Sequence, residues 1–235
     1  MLREDESEWA AVARSLGVPP GRLRLVKQVH GIDVVVARRP STGLGAGGEP
    51  VLSTRPQADI IVSDDPDVAI GVRVADCAPI LLHDPVRHAV GAAHAGWRGT
   101  AAGAAGAAVR AMRDAFGSRP SDLMVAIGPC LGACCGEVGP DVIEVFRAGG
   151  AGETSLASWF SPGAGDRSFL DLERANRDQL EAAGVKPGAI FGSGLCTKTH
   201  RARLHSYRGD RDASGRMVGA IRACPERADA SRGAV

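Results

Sequence analysis

The chain has 235 residues, 44% of them hydrophobic and 23% charged, with a formal net charge of +1. That length buries a sizeable core, as one domain or two small ones, and the near-neutral charge gives no general attraction to nucleic acid or acidic membranes. Only 4% of residues are aromatic, which argues against a stacking platform for single strands, and no apolar run approaches the ~20 residues that span a bilayer.

The opening MLREDESEWA lacks the apolar stretch of a secretory signal. Six cysteines stand at positions 77, 130, 134, 135, 196 and 224. Their spacing is not that of a disulfide scaffold in a chain this long, which predicts thiols that are free or metal-bound in a reducing cytoplasm. A helix is expected over Ser7–Leu16, with Ser7 as N-cap and Gly17 just past its end. Leu23–Gln28 and Ile32–Ala37 read as two strands of a hairpin, with His30 in the tip Val29-His30-Gly31. A histidine in such a tip is ordinarily just solvated. Pro40–Pro56 reads as a loop rich in Gly, Pro, Ser and Thr. Its GLGAGG neither follows a strand nor opens a helix, so it is not a dinucleotide loop. Ala58–Ser63 and Val68–Val74 are strands flanking the turn Asp64-Asp65-Pro66-Asp67. Asp59, at the start of the first, is either an edge charge or a group that orients a ligand histidine from behind.

The stretch Val74–Thr100 organises the rest. Two apolar runs, Pro79–Leu82 and Ala89–Ala93, flank the turn signature Asp84-Pro85-Val86-Arg87. A hairpin turning between Pro85 and Val86 opposes His83 to His88 and Cys77 to His94, and directly opposed Cα atoms lie about 4.5–5.5 Å apart. A thiol and an imidazole so placed suit a divalent metal, zinc or copper, or a nucleophile with its base. AGWRGT then leads into a helix over Ala101–Phe116, whose free N–H groups begin near the pair as an anion site. Gly103 and Gly106 give that helix a small-residue face, and Gly117 stops it.

Leu123–Ile127 is a strand, followed by GPCLGACCGEVGP with three cysteines and four glycines. C-x₃-C-C is not a common zinc spacing, so the run is either a tight loop needing small residues or a wall beside the metal site. Pro140 opens a helix through Arg147, and Gly149–Asp166 reads as a loop carrying Trp159 and Phe160. A helix over Asp171–Ala183 has Asp171 as N-cap and Gly184 past its end, and Ala189–Phe191 is a strand. Leu195–Arg208 is dense in Cys, Lys, His and Arg, either a solvated basic face or a grip for phosphate. Residues 225–235 are expected to fray. No internal repeat or domain boundary is apparent.

KQVHG (27–31), ADCAPILLHDP (75–85), AAHAGWRGT (92–100), IGPCLGACC with EVG (127–139) and SYR with Asp210 together resemble the YfiH family, also called the laccase-domain or multicopper polyphenol oxidoreductase family. Its members are regarded as purine nucleoside phosphorylases. The resemblance implies one α+β domain over 1–235, with two β-sheets packed face to face and helices outside, in α-β-β-α layers. It implies metal ligands at His30, Cys77 and His94, with zinc usual and copper possible. It also implies phosphorolysis of adenosine, inosine, guanosine and methylthioadenosine to base and ribose 1-phosphate, with adenosine deamination as a second activity. The partners are then a small purine nucleoside and phosphate, without nucleic acid or membrane. The chain is expected in the cytoplasm as a monomer or weak homodimer.

On this reading Arg98, beside His94, is the first contact for phosphate or transition state, and Gln28, Lys198 and Arg208 are further contacts. Set against the family pattern, the chain is expected to lack an N-terminal segment with Thr-Arg-x-Gly-Gly-Val-Ser and Ser-Leu-Asn-Leu stretches, and it reads Arg208-Gly209-Asp210 where Arg-Arg-Asp is usual. Zinc deaminases pair the metal with an H-x-E glutamate, and no H-x-E occurs here. Three other readings stand beside this one: a copper-linked polyphenol oxidase, disfavoured by six histidines with no H-x-H pair; a metal-free cysteine hydrolase using Cys77 and His94; and a metal-binding relic without catalysis.

Overall fold

A computed structural model describes residues 6–38 and 55–224. The expected loop at 40–56 falls almost wholly outside them, and the tail at 225–235 wholly so. The described residues hold twelve strands: β1 Leu23–Leu25, β2 Val34–Ala37, β3 Ile60–Ser63, β4 Ala69–Val74, β5 Ala78–Asp84, β6 Ala89–Ala95, β7 Met124–Ile127, β8 Glu137–Val138, β9 Phe160–Pro162, β10 Ser168–Leu170, β11 Ile190–Gly192 and β12 Met217–Arg222. Seven helices accompany them: α1 Glu6–Ser15, α2 Trp97–Ala101, α3 Ala104–Phe116, α4 Pro140–Ala148, α5 Glu153–Trp159, α6 Leu172–Ala182 and α7 Tyr207–Asp210.

The main sheet has six strands in the order β11-β7-β5-β6-β3-β2. A second sheet, β1-β4-β12, lies against it, and β8-β10-β9 form a third, small antiparallel sheet whose Val138 and Leu170 join the core on the main sheet. Ile70 and Val72 of the second sheet pack on Ile61, Val90 and Ala92 of the main sheet. On the main sheet's other face Ile80, Leu82 and Ala93 meet Ala104, Ala108 and Met112 of α3 and Leu180 of α6. Ala13 of α1 packs on Leu23, Leu25 and Ala69 across the outer face of the second sheet. The α+β, four-layer arrangement is therefore present. Burying each large aliphatic side chain in these layers contributes about 1.5–3 kcal/mol.

Strand β6 lies in the middle and is buried at all seven positions. A strand covered on both faces carries a continuous apolar run, and AVGAAHA is one apart from His94. A Cβ on Gly91 would meet Leu82, Val62 and Met112 at 3.2–3.3 Å, so the layers close tightly there.

Several local expectations are corrected. The Leu23–Ala37 segment is not a hairpin. Strand β1 pairs in parallel with β4, and β2 in parallel with β3 in the other sheet. Leu23 and Leu25 serve the core under α1 while Val35 serves the core between the sheets, so the turn at His30 is a crossing from sheet to sheet. The β5–β6 hairpin forms, but Pro79 faces His94 and His83 faces Val90. Asp84 Oδ1 accepts from the N–H of Val86 and Arg87 at 2.8 and 3.0 Å, and His88 takes φ 52°. The connection thus holds four residues, and the register moves by two. The expected helix over Ala101–Phe116 begins earlier, at Trp97, and breaks at Gly103, whose φ of 82° no helix interior adopts. The stretch 149–166 contains α5 and β9.

Candidate metal centre

The centre is built behind β3 by one carboxylate. Asp59 is fully buried and accepts hydrogen bonds from the backbone N–H groups of Val29, His30 and Gly31 at 3.1, 2.9 and 2.7 Å. Successive N–H groups curled around an anion form a nest, and His30 reaches it in the left-handed region at φ 64°. The same carboxylate takes Nδ1 of His94 at 2.7 Å, and the His94 backbone N–H donates to Asp59 O at 2.8 Å. One buried acid thereby sets both the crossing that carries His30 and the ring of His94. With Nδ1 held by a carboxylate, Nε2 of His94 is the nitrogen left available to a metal.

Cys77 precedes β5 and arrives at the same end. Its Sγ lies 3.9 Å from Nε2 of His30, and the ligand atoms of His30, Cys77 and His94 all lie within 4.8 Å of one another. The His30 and His94 rings meet edge to face with centroids 4.9 Å apart. His94 is buried, Cys77 half-buried and His30 exposed, so the triangle opens on one side. Gly96 opposes Cys77 beyond the β5–β6 ladder. A Cβ there would lie 2.8 Å from Cys77 Sγ and 3.0 Å from Cδ2 of His30, so glycine keeps the space the two side chains use. A cation bound at roughly 2.0–2.3 Å from each donor fits separations of this size.

Charge is arranged to match. Burial opposes ionisation of Asp59, but the bonds from His94, Gly31 and Val29 outweigh it and hold the carboxyl below its usual range. Burial pushes the Cys77 thiol up, yet His30 and His94 bring it down to about 7. Burial disfavours charge on His94, yet Asp59 and Cys77 raise it to about 9. Both shifts favour a thiolate beside an imidazolium.

The other expected contacts divide. Gln28 is engaged with the backbone of β4. Its amide donates to Arg73 O and accepts from Arg73 N–H at 3.0 Å, joining the end of β1 to β4 as a strand residue would. Nη1 of Arg208 donates to the carbonyl oxygens of Cys135 and Glu137 at 3.3 and 2.9 Å, which ties the arginine to a turn. Arg98 is exposed in the first turn of α2, stacked 4.2 Å from the Trp97 ring centroid. Lys198 is half-buried and makes no ion pair among the described residues. Helix α2 itself has only five residues, too little for a strong dipole.

Asp76, beside Cys77, has φ 86°, and its carboxylate accepts from Thr197 Oγ1 at 2.6 Å and from the Arg208 N–H. It draws two distant loops toward the Cys77 end. Its adjacency to Cys77 was the available signal, but nothing local marks its partners.

A family model described as multi-copper polyphenol oxidoreductase laccase matches residues 5–224. The chain is 38% identical over 210 residues to a Geobacillus stearothermophilus protein named purine nucleoside phosphorylase YlmD, covering 89% of this chain and 75% of that one. It is 38% identical over 215 residues to a Deinococcus radiodurans protein named purine nucleoside phosphorylase, covering 90% and 74%. The crystal structure of YlmD from Geobacillus stearothermophilus matches with a TM-score of 0.82 at 34% identity, over 95% of this chain and 83% of that one. By motif, fold and these likenesses, the chain belongs to the laccase-domain family of YfiH and YlmD.

Proposed function

We propose that this chain is a metal-dependent purine nucleoside phosphorylase with His30, Cys77 and His94 as its metal ligands. The observation that carries the reading is the buried Asp59–His94 bond behind a thiol and a second imidazole, in a chain whose relatives are named for that activity. Two imidazoles and a thiolate accept zinc, our first choice, or copper. When bound with a coordination position open, such an ion supplies Lewis acidity to a substrate oxygen.

The chain's own residues do the rest. Asp59 keeps His94 in one tautomer and orientation. Phosphorolysis forms a bond from a phosphate oxygen to ribose C1′ as the bond to the purine nitrogen breaks, and the base leaves with a proton. Arg98 presents paired N–H donors that match phosphate oxygens and has no carboxylate partner among the described residues. Lys198 is the second candidate for that contact. Gln28 and Arg208 act on the scaffold instead. Adenosine, inosine, guanosine and methylthioadenosine are the proposed substrates, and adenosine deamination the proposed second activity.

Zinc-loaded protein given inosine and phosphate is expected to release hypoxanthine and ribose 1-phosphate, to stop on chelation and to recover with zinc. A second reading has a specific observation behind it. Cys77, His94 and Asp59 also have the thiol–imidazole–carboxylate order of a cysteine nucleophile and its oriented base. Turnover that survives chelation and ends on alkylation of Cys77 would establish that reading and overturn the first. Copper-linked oxidation of phenols with oxygen needs several coppers, and among the described residues only one metal-capable group contains histidine.

A further inference from the structure

A second set of donors shares no residue with the first. Cys134, Cys135 and Cys196 bring their sulfurs within 4.8 Å of one another, although 61 residues separate the last two in sequence. The approach is built by the backbone. Cys130 and Cys196 form a parallel bridge, in which Cys130 N–H donates to Leu195 O at 3.3 Å and Thr197 N–H to Cys130 O at 2.9 Å. The 132–136 turn closes through N–H groups of Cys135 and Gly136 on Gly132 O, both at 2.9 Å. Gly132 leaves the gap. A Cβ there would lie 3.0 Å from Cβ of Cys196, 3.6 Å from its Sγ and 3.7 Å from Sγ of Cys134.

The sulfurs are unbridged and spaced as two ligands of one ion can be. Sulfurs of Cys134 and Cys135 are 3.7 Å apart, whereas a disulfide needs about 2.05 Å. Two thiolates each about 2.3 Å from one tetrahedral cation sit roughly 3.8 Å apart. A cavity of about 420 Å³, lined by Cys130, Cys134, Cys196, Glu173, Arg174 and Arg177, gives the triangle a path to solvent. The Cys130 sulfur is not part of the triangle.

We propose that Cys134, Cys135 and Cys196 form a second metal site, for a soft d¹⁰ cation, copper(I) or zinc. Three sulfurs without imidazole or carboxylate select soft ions. Each thiol gives its proton to solvent on binding. The ion would lock the 130s loop to the 195–200 turn. That turn also carries Thr197, which holds Asp76 beside Cys77, so the second site braces the first through one hydrogen bond.

The test uses the full chain, reduced and kept from air, with copper(I) in one arm and zinc in the other. Native mass spectrometry counts ions, and X-ray absorption at the metal edge counts sulfur neighbours. Two ions per chain are expected in at least one arm, the additional one with three sulfur neighbours. C134S/C196S should lose one ion, and C77S should keep it. Should the double variant not fold, alkylation of wild-type Cys134 must slow at least tenfold once the second ion binds. One ion per chain in both arms, an additional ion without sulfur neighbours, unchanged alkylation, or an unchanged ion count in C134S/C196S would overturn the proposal.

Discussion

The two donor groups differ in what holds them. His94 sits on a strand of the main sheet that is buried at every position, its ring fixed by a buried carboxylate that also gathers three backbone N–H groups. Cys134, Cys135 and Cys196 rest on a tight turn and an isolated bridge, with no carboxylate hydrogen-bonded behind them among the described residues. A group braced by a ladder and an internal anion is preorganised before any ligand arrives. A group braced only by loops gains order when a ligand ties them. The first arrangement suits chemistry and the second suits a clasp.

Breaking the brace should have the largest effect. Asp59→Ala leaves His94 and three N–H groups without a partner inside the protein, and removing one side of a buried pair costs about 3–5 kcal/mol. Urea unfolding measures that loss, and metal uptake should fall with it. Asp59→Asn keeps the shape but not the charge, and should lower metal affinity about 10–100-fold, the usual cost of losing the group behind a ligand histidine. An affinity unchanged in Asp59→Asn would separate the brace from the metal.

Acidity sharpens the contrast. His94 is held at about 9 and Cys77 at about 7 in the metal-free protein. Between those values the thiol is mostly thiolate and His94 is mostly imidazolium, so binding a cation releases one proton. Affinity should rise about tenfold per pH unit from 7 to 9 and level off above, and fall more steeply below 7, where the thiol proton must leave too. Competition titrations against a chelator across this range measure both slopes.

Gly96→Ala should act on the centre alone. Its Cβ enters the space of Cys77 Sγ and His30 Cδ2, so metal affinity should drop about tenfold, a typical cost of disturbing ligand placement, with stability near wild type.

The smallest effects separate scaffold from substrate contact. Gln28→Ala removes both hydrogen bonds to Arg73 and should cost about 1–3 kcal/mol of stability, with KM for phosphate unchanged. Arg98→Ala should change stability by less than about 0.5 kcal/mol, as exposed substitutions do, while raising KM for phosphate. The reverse pattern would exchange their roles.

What could be read beforehand follows from the reach of each signal. The β5–β6 hairpin was visible from its two apolar runs, but its register was not. Asp84 caps a four-residue connection where a two-residue turn was expected. Because the slip was even, each side chain kept its face, and Cys77 still reached the His94 end, opposite Gly96. His30 was legible only as part of a motif. Its strands belong to different sheets, and strands of three or four residues carry too little periodicity to reveal that. The same brevity hid β8, β9 and β10, and α5 is only two turns long. Asp59 stood out as an acid opening an apolar strand, with its role left open between edge charge and orienting group. The sulfur triangle was invisible because Cys196 joins it from 61 residues away.

The central claim is that one cation sits among His30, Cys77 and His94. Anomalous X-ray scattering from crystals of the zinc-loaded protein, recorded at the zinc edge, tests it most directly. The account predicts a peak within bonding distance of Nε2 of His30, Sγ of Cys77 and Nε2 of His94. A protein that turns over inosine with no peak there, or with its zinc bound only elsewhere, would contradict it.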